Sequence, residues 1–169
     1  MGSTGNNGCM LLGICPDKAG RFHDTDMQIL KNFGKDLRLH FGYNLLTEGA
    51  ALSASSEMSA VYSVRNAADL GDGFWMPDAG DARPYLDIRF EKAELFDKMT
   101  ICENTRNGQR IESFEIWLPD KRGVLRPVYA GKTVGARKIC ELRTSEADRL
   151  RVVFTGFRDT PQILSLSLN

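Results

Sequence analysis

The chain has 169 residues, with 22 Lys plus Arg against 22 Asp plus Glu and a hydrophobic share of 42%. That length suits one domain, or one domain with an appendage, and the apolar share excludes wholesale disorder. The even charge balance excludes the basic stripe that displaces counterions from a nucleic acid, and no apolar run approaches the roughly 20 residues that cross a bilayer. Nucleic acid and membrane are therefore set aside as partners, and a polar, neutral surface suits an uncharged one such as a glycan.

Residues 1–8, Met-Gly-Ser-Thr-Gly-Asn-Asn-Gly, have neither the basic nor the apolar region of a signal peptide. They read as a disordered or cloning-derived start, and the compartment stays unassigned. Cys9-Met10-Leu11-Leu12-Gly13-Ile14, closed by Pro16 and Gly20, is a continuous apolar run. Such a run fits a strand buried on both faces, as in a parallel sheet with helices outside. From Asp24 to Phe41 the residues Met27, Leu30, Phe33, Leu37 and Phe41 recur three to four apart, which predicts an amphipathic helix. Asp24 is placed to cap it, Asp26 to complement its dipole, and Gly42 to stop it. One strand and one helix cannot build such a sheet, so residues 9–43 read as the last β-α unit of a larger structure.

Beyond Leu46 the period changes to two. Leu86, Ile88 and Phe90 alternate with Tyr85, Asp87 and Arg89, and Leu150, Val152 and Phe154 alternate with Arg149, Arg151 and Val153. Phe114, Ile116 and Leu118 do likewise, and Ile163–Leu168 closes the chain. With turn residues at Asn107-Gly108, Asp120–Gly123, Gly131 and Gly135, these short runs predict an antiparallel sandwich or barrel over 44–169. A slip in phase between Ile111 and Phe114 predicts a β-bulge near Glu112-Ser113. Cys102 and Cys140 sit in apolar runs and read as small buried hydrophobes. With only His23 and His40 as histidines, a zinc site is not expected.

Five segments resemble retaining α-L-fucosidases. Leu11–Arg21 followed by an acid-led helix resembles the end of that family's catalytic barrel, where an apolar strand meets a Pro-Asp-x-x-Gly loop. Asn44–Ala50 is similar to the start of its C-terminal domain. Cys102-Glu103-Asn104 with Gly108-Gln109-Arg110-Ile111-Glu112-Ser113-Phe114 resembles that domain's Gln-Glu … Gly-Gln-Arg-Val-x-x-Phe signature, and Gly131–Gly135 and Leu150–Val153 continue it in order.

The resemblance implies a galactose-binding-like β-sandwich of the discoidin, jelly-roll type, preceded by a short strand and helix left from a (β/α)8-type barrel. It points to the plant-like and bacterial group acting on α-1,3/1,4-linked fucose, whose members are commonly secreted, periplasmic or lysosomal. A retaining glycosidase needs two carboxyl groups about 5 Å apart. In this family both precede the segment matched here, so no catalytic residue is assigned and the chain alone is expected to be inactive. Competing readings are an independent discoidin-type carbohydrate-binding or adhesion module, and a hydrolase assembled with a separate barrel chain.

Strand parity puts Met99, Ile101 and Glu103 on the core face, and a carboxylate there needs a partner. Arg110, just past the Asn107-Gly108 turn, is the expected one, in a structural ion pair. Asn66–Trp75 resembles a loop that in discoidin-like modules supports calcium, which makes Asp69 and Asp72 weak ligand candidates. Because Ser165 stands where many such modules offer a carboxylate, the loop is expected to be metal-free, and no cofactor is assigned. Sugar contact in such sandwiches uses end loops, which nominates Phe74, Trp75, Asp78, Asp81 and Arg83. The alternative is that Trp75 is core and the others solvate the loop. The implied partners are fucosylated or galactose-containing glycans, a missing catalytic barrel, or a second copy joined through 9–41.

Overall fold

A computed structural model describes residues 4–47, 49–69 and 71–169. Glu48, within the run similar to the start of the C-terminal domain, lies outside the described residues, as does Leu70 in the loop that carries the weak calcium candidates Asp69 and Asp72; so do residues 1–3 of the expected disordered start.

Helix α1 spans Asp24–Phe41, as the periodicity predicts. Its N-cap is His23, not Asp24: the imidazole Nδ1 accepts from Thr25 N–H at 3.2 Å, leaving Asp24 and Asp26 to add charge in the first turn. Six strands follow: β1 (Ala51–Ala54), β2 (Tyr85–Glu103), β3 (Ile111–Pro119), β4 (Leu125–Gly131), β5 (Lys138–Phe157) and β6 (Ile163–Leu168). All pairings among them are antiparallel.

Two strands make the sandwich possible. β2 and β5 run 19 and 20 residues and pair along their length, with register shifts between Arg89 and Glu94 and between Phe96 and Lys98. Such irregularities let long strands turn a corner and serve two layers. The first layer holds β1, the start of β2, the end of β5, β3 and β4. The second holds β6, the end of β2 and the start of β5. Leu86, Ile88, Leu150, Val152, Phe114 and Ile116 from the first layer share one buried cluster with Met99, Ile101, Cys140, Leu166 and Leu168 from the second. The alternation read from the sequence therefore points every one of these runs inward. Cys102 and Cys140 are buried, and the predicted bulge is present as register shifts flanking Ser113.

Two expectations fail at the N-terminus. Residues 9–14 carry no strand, because a strand needs a ladder partner for its N–H and C=O groups and none lies beside this run. Leu11 is 99% exposed there. Residues 5–7, expected to be loose, instead bind the free edge of β5. Ile139 N–H donates to Gly5 O at 2.9 Å, Arg137 N–H to Asn7 Oδ1 at 2.9 Å, and Asn7 Nδ2 to Val134 O at 2.9 Å. Covering an edge strand in this way blocks pairing with another chain.

The sandwich proper begins at Asn44, whose side-chain oxygen accepts from Leu46 N–H at 3.1 Å and from Leu168 N–H at 3.0 Å. Leu45 and Leu46 then enter the core.

Candidate functional site

Glu103 ends the core face of β2 and is 2% exposed. Its partner is not the Arg110 guanidinium expected from the sequence. Oε1 accepts from the backbone N–H of Arg110 at 2.6 Å and of Ile111 at 3.0 Å, and Oε2 accepts from Gly135 N–H at 2.9 Å. The carboxylate thus ties the start of β3 and the β4–β5 loop to the end of β2, with main-chain donors supplying what a cation was expected to supply. The Arg110 side chain turns instead to Asp159 Oδ2 at 3.0 Å and Thr160 O at 3.2 Å. Backbone donors are invisible to residue-type reasoning, which is why the motif suggests an ion pair from sequence alone.

The long loop before β2 divides its sugar-contact candidates. Trp75 is 0% exposed, packs its ring 5.8 Å from that of Phe154 and donates its indole N–H to Ser56 O at 3.1 Å. A ring with no accessible face cannot stack on a sugar, so this candidate is core. Phe74 is half-buried against Tyr62, with ring centroids 5.0 Å apart. Asp81 is an anchor: its carboxylate accepts from Ser55 Oγ at 2.5 Å, Ser56 Oγ at 2.7 Å and Arg83 N–H at 3.1 Å. Burial alone would raise its pKa, but these bonds outweigh burial and hold it below the usual carboxylate value. Asp78 is exposed, and its N–H donates to Ser56 Oγ at 3.1 Å.

The stretch that resembles a calcium loop is braced by Asn66, whose amide donates to Val61 O at 2.8 Å and Phe74 O at 3.1 Å. Asp72 pairs with Arg106 at 3.1 Å, while Asp69 is exposed. Among the described residues no three His, Cys, Asp or Glu side chains converge as a metal cluster would require.

Arg83 leads to a groove on the outer face of the first layer. A cavity of about 310 Å³ is lined by Arg83, Tyr85, Trp117, Leu125, Arg151 and Val153. The Arg83 guanidinium lies 5.8 Å from the Trp117 ring centre, and that of Arg151 lies 3.8 Å from the Tyr85 ring centre. Asp87 sits beneath, accepting from Arg151 Nε at 2.6 Å and Nη2 at 2.8 Å and from Arg149 Nη2 at 2.7 Å. Burial pushes the Asp87 carboxyl up, but the bonds and charges of Arg151 and Arg149 more than reverse this and hold it low. Trp117 donates its indole N–H to Glu115 Oε2 at 2.9 Å. Of these lining residues the loop reading found Arg83 alone. Three others were legible as outward positions of alternating strands, since Trp117 and Arg151 each stand between two core residues and Tyr85 precedes core Leu86 at the start of β2.

A second cavity, about 390 Å³, separates α1 from the outer face of the second layer, between Leu37 and Phe41 on one side and Thr100, Cys102, Ile139 and Ser165 on the other. No residue of α1 is buried.

The antiparallel sandwich is a fold shared with a carbohydrate-binding module. Chitosan-binding module 1 of a chitosanase/glucanase from a Paenibacillus species superposes with a TM-score of 0.65 at 15% identity, covering 75% of this chain and 98% of that module. That likeness concerns the fold alone.

No protein-family model matches the chain. Over nearly its whole length it is similar to α-L-fucosidases. Alpha-L-fucosidase 1 of Arabidopsis thaliana is 28% identical over 171 residues, which cover 98% of this chain and 34% of that protein. A GH29 fucosidase of Ruminococcus gnavus, solved with fucose, superposes with a TM-score of 0.88 at 26% identity, again over 98% of this chain and 34% of that one. The chain thus matches the C-terminal part of α-L-fucosidases and spans about a third of the length of the relatives it matches.

Proposed function

We propose that the chain is the non-catalytic C-terminal accessory part of an α-L-fucosidase-type glycoside hydrolase, a discoidin-like sandwich that braces a catalytic barrel. One observation carries the reading. The match to fucosidases runs through α1 as well as the sandwich, yet Met27, Phe33 and Leu37 of the α1 stripe remain exposed. A free-standing module has no use for an apolar helix stripe, whereas the final helix of a barrel does. The parent enzyme would hydrolyse α-L-fucosides of the α-1,3/1,4-linked kind, with its acids in the barrel.

The purified chain should leave an aryl α-L-fucoside intact. It should also bind the part of the Arabidopsis relative outside this match, about two-thirds of that protein. Turnover by the chain alone, or binding unaffected by Phe33→Glu with Leu37→Glu, would overturn the proposal.

A second reading, direct glycan contact by the sandwich, is favoured by the groove at Arg83 and Trp117. The likeness in fold to a chitosan-binding module supports that reading.

A further inference from the structure

We infer that the groove between Arg83, Tyr85, Trp117 and Arg151 binds an acidic saccharide, a hexuronate ring whose carboxylate meets Arg83 while its apolar face lies on Trp117; this rests on the glycan-contact reading and names its ligand class.

The charges in the groove are unevenly satisfied. The carboxylate of Asp87 is shared between Arg149 and Arg151, that of Glu115 takes the Trp117 indole N–H, and that of Asp81 is occupied by Ser55, Ser56 and Arg83 N–H. Among the described residues the Arg83 guanidinium has no acid partner; its one ring contact is with Trp117. Arg83 is exposed, and a cation held over a ring in water is held weakly, so it can move aside for a ligand. A guanidinium presents a planar fork that fits a carboxylate with two parallel bonds. An anion without a ring would leave the Trp117 face unused, and a neutral sugar would leave Arg83 unpaired.

The rest of the site is fixed in advance. Arg151 is clamped on two sides, by Asp87 and by the Tyr85 ring, and Val153 is buried in the groove floor. The volume of about 310 Å³ lies at the small end of ligand pockets, enough for a short saccharide. Position also favours use. α1 lies against the second layer, through the cavity bordered by Leu37, Phe41, Thr100 and Ile139. The groove opens on the outer face of the first layer, so a barrel seated on α1 leaves it open.

The test is a titration of the full chain with trigalacturonate and, in parallel, with its fully methyl-esterified form, which keeps the rings and removes the charge. Tryptophan fluorescence reports binding, because Trp117 lines the groove while Trp75 is buried. The acid should bind at least tenfold more tightly than the ester, and raised salt should narrow the gap. Arg83→Gln should bring acid and ester to equal affinity. Trp117→Ala should weaken both; should it fail to fold, Arg83→Gln at an exposed site still decides. Equal affinity of acid and ester for the unaltered chain overturns the charge assignment and leaves glycan contact standing. No binding of either overturns both.

Discussion

The chain contains two amphipathic regions that meet opposite fates. In the sandwich, inward runs from both layers close into a single cluster, with Trp75, Phe114 and Phe154 fully buried. In α1, an equally regular stripe stays largely in water: no α1 residue is buried, and Phe33 and Leu37 are 42% and 44% exposed. Both patterns satisfy the same rule of periodicity. The difference is that a sheet pair supplies its own opposing face, whereas one helix must find a face elsewhere. A stripe that meets the second layer only across a cavity, at Leu37 and Phe41, leaves a surface meant for something else.

The comparison predicts that stability resides in the sandwich. Trp75→Ala should be the most damaging substitution, costing about 3–5 kcal/mol by chemical denaturation, because it empties the centre of the core. Glu103→Ala should follow at about 3 kcal/mol or more, since it strands the N–H groups of Arg110, Ile111 and Gly135 inside the protein.

Asp87→Asn should cost about 1–2 kcal/mol near neutral pH, because Arg149 and Arg151 keep some solvent contact. Its pH dependence has a definite sign. The folded pKa of Asp87 lies below the ordinary 3.8, so its contribution is complete above that value and is lost as pH falls through the folded pKa. Acid denaturation of the unaltered chain should therefore be steeper than that of Asp87→Asn.

Arg110→Ala should cost about 1 kcal/mol, less than Glu103→Ala, because Asp159 is well exposed. Had the two residues been each other's ion-pair partners, their effects would be similar and strongly coupled in a double-mutant cycle. Phe33→Glu with Leu37→Glu should change stability least, within about 0.5 kcal/mol, while suppressing any concentration-dependent scattering.

Much of this was legible beforehand. Strict alternation in Leu86–Phe90 and Leu150–Phe154 gave the inner faces, and the broken phase at Glu112-Ser113 gave the bulge. What escaped were relations that no residue type announces. Glu103 is satisfied by main-chain donors, and helix capping by His23 depends on a local conformation. The apolar run at residues 9–14 has strand composition, but pairing is a property of neighbours, and none stand beside it. The groove escaped for a related reason: Tyr85, Trp117 and Arg151 lie far apart in sequence and become one surface only when β2 and β3 pair with either side of β5.

The most direct test is hydrogen exchange at α1, measured in the chain alone and with the catalytic part of a fucosidase relative added. The account predicts that α1 amides exchange far faster than those of β3 in the isolated chain and become protected on addition. Protection of α1 equal to that of β3 in the chain alone, or no change on addition, would contradict it.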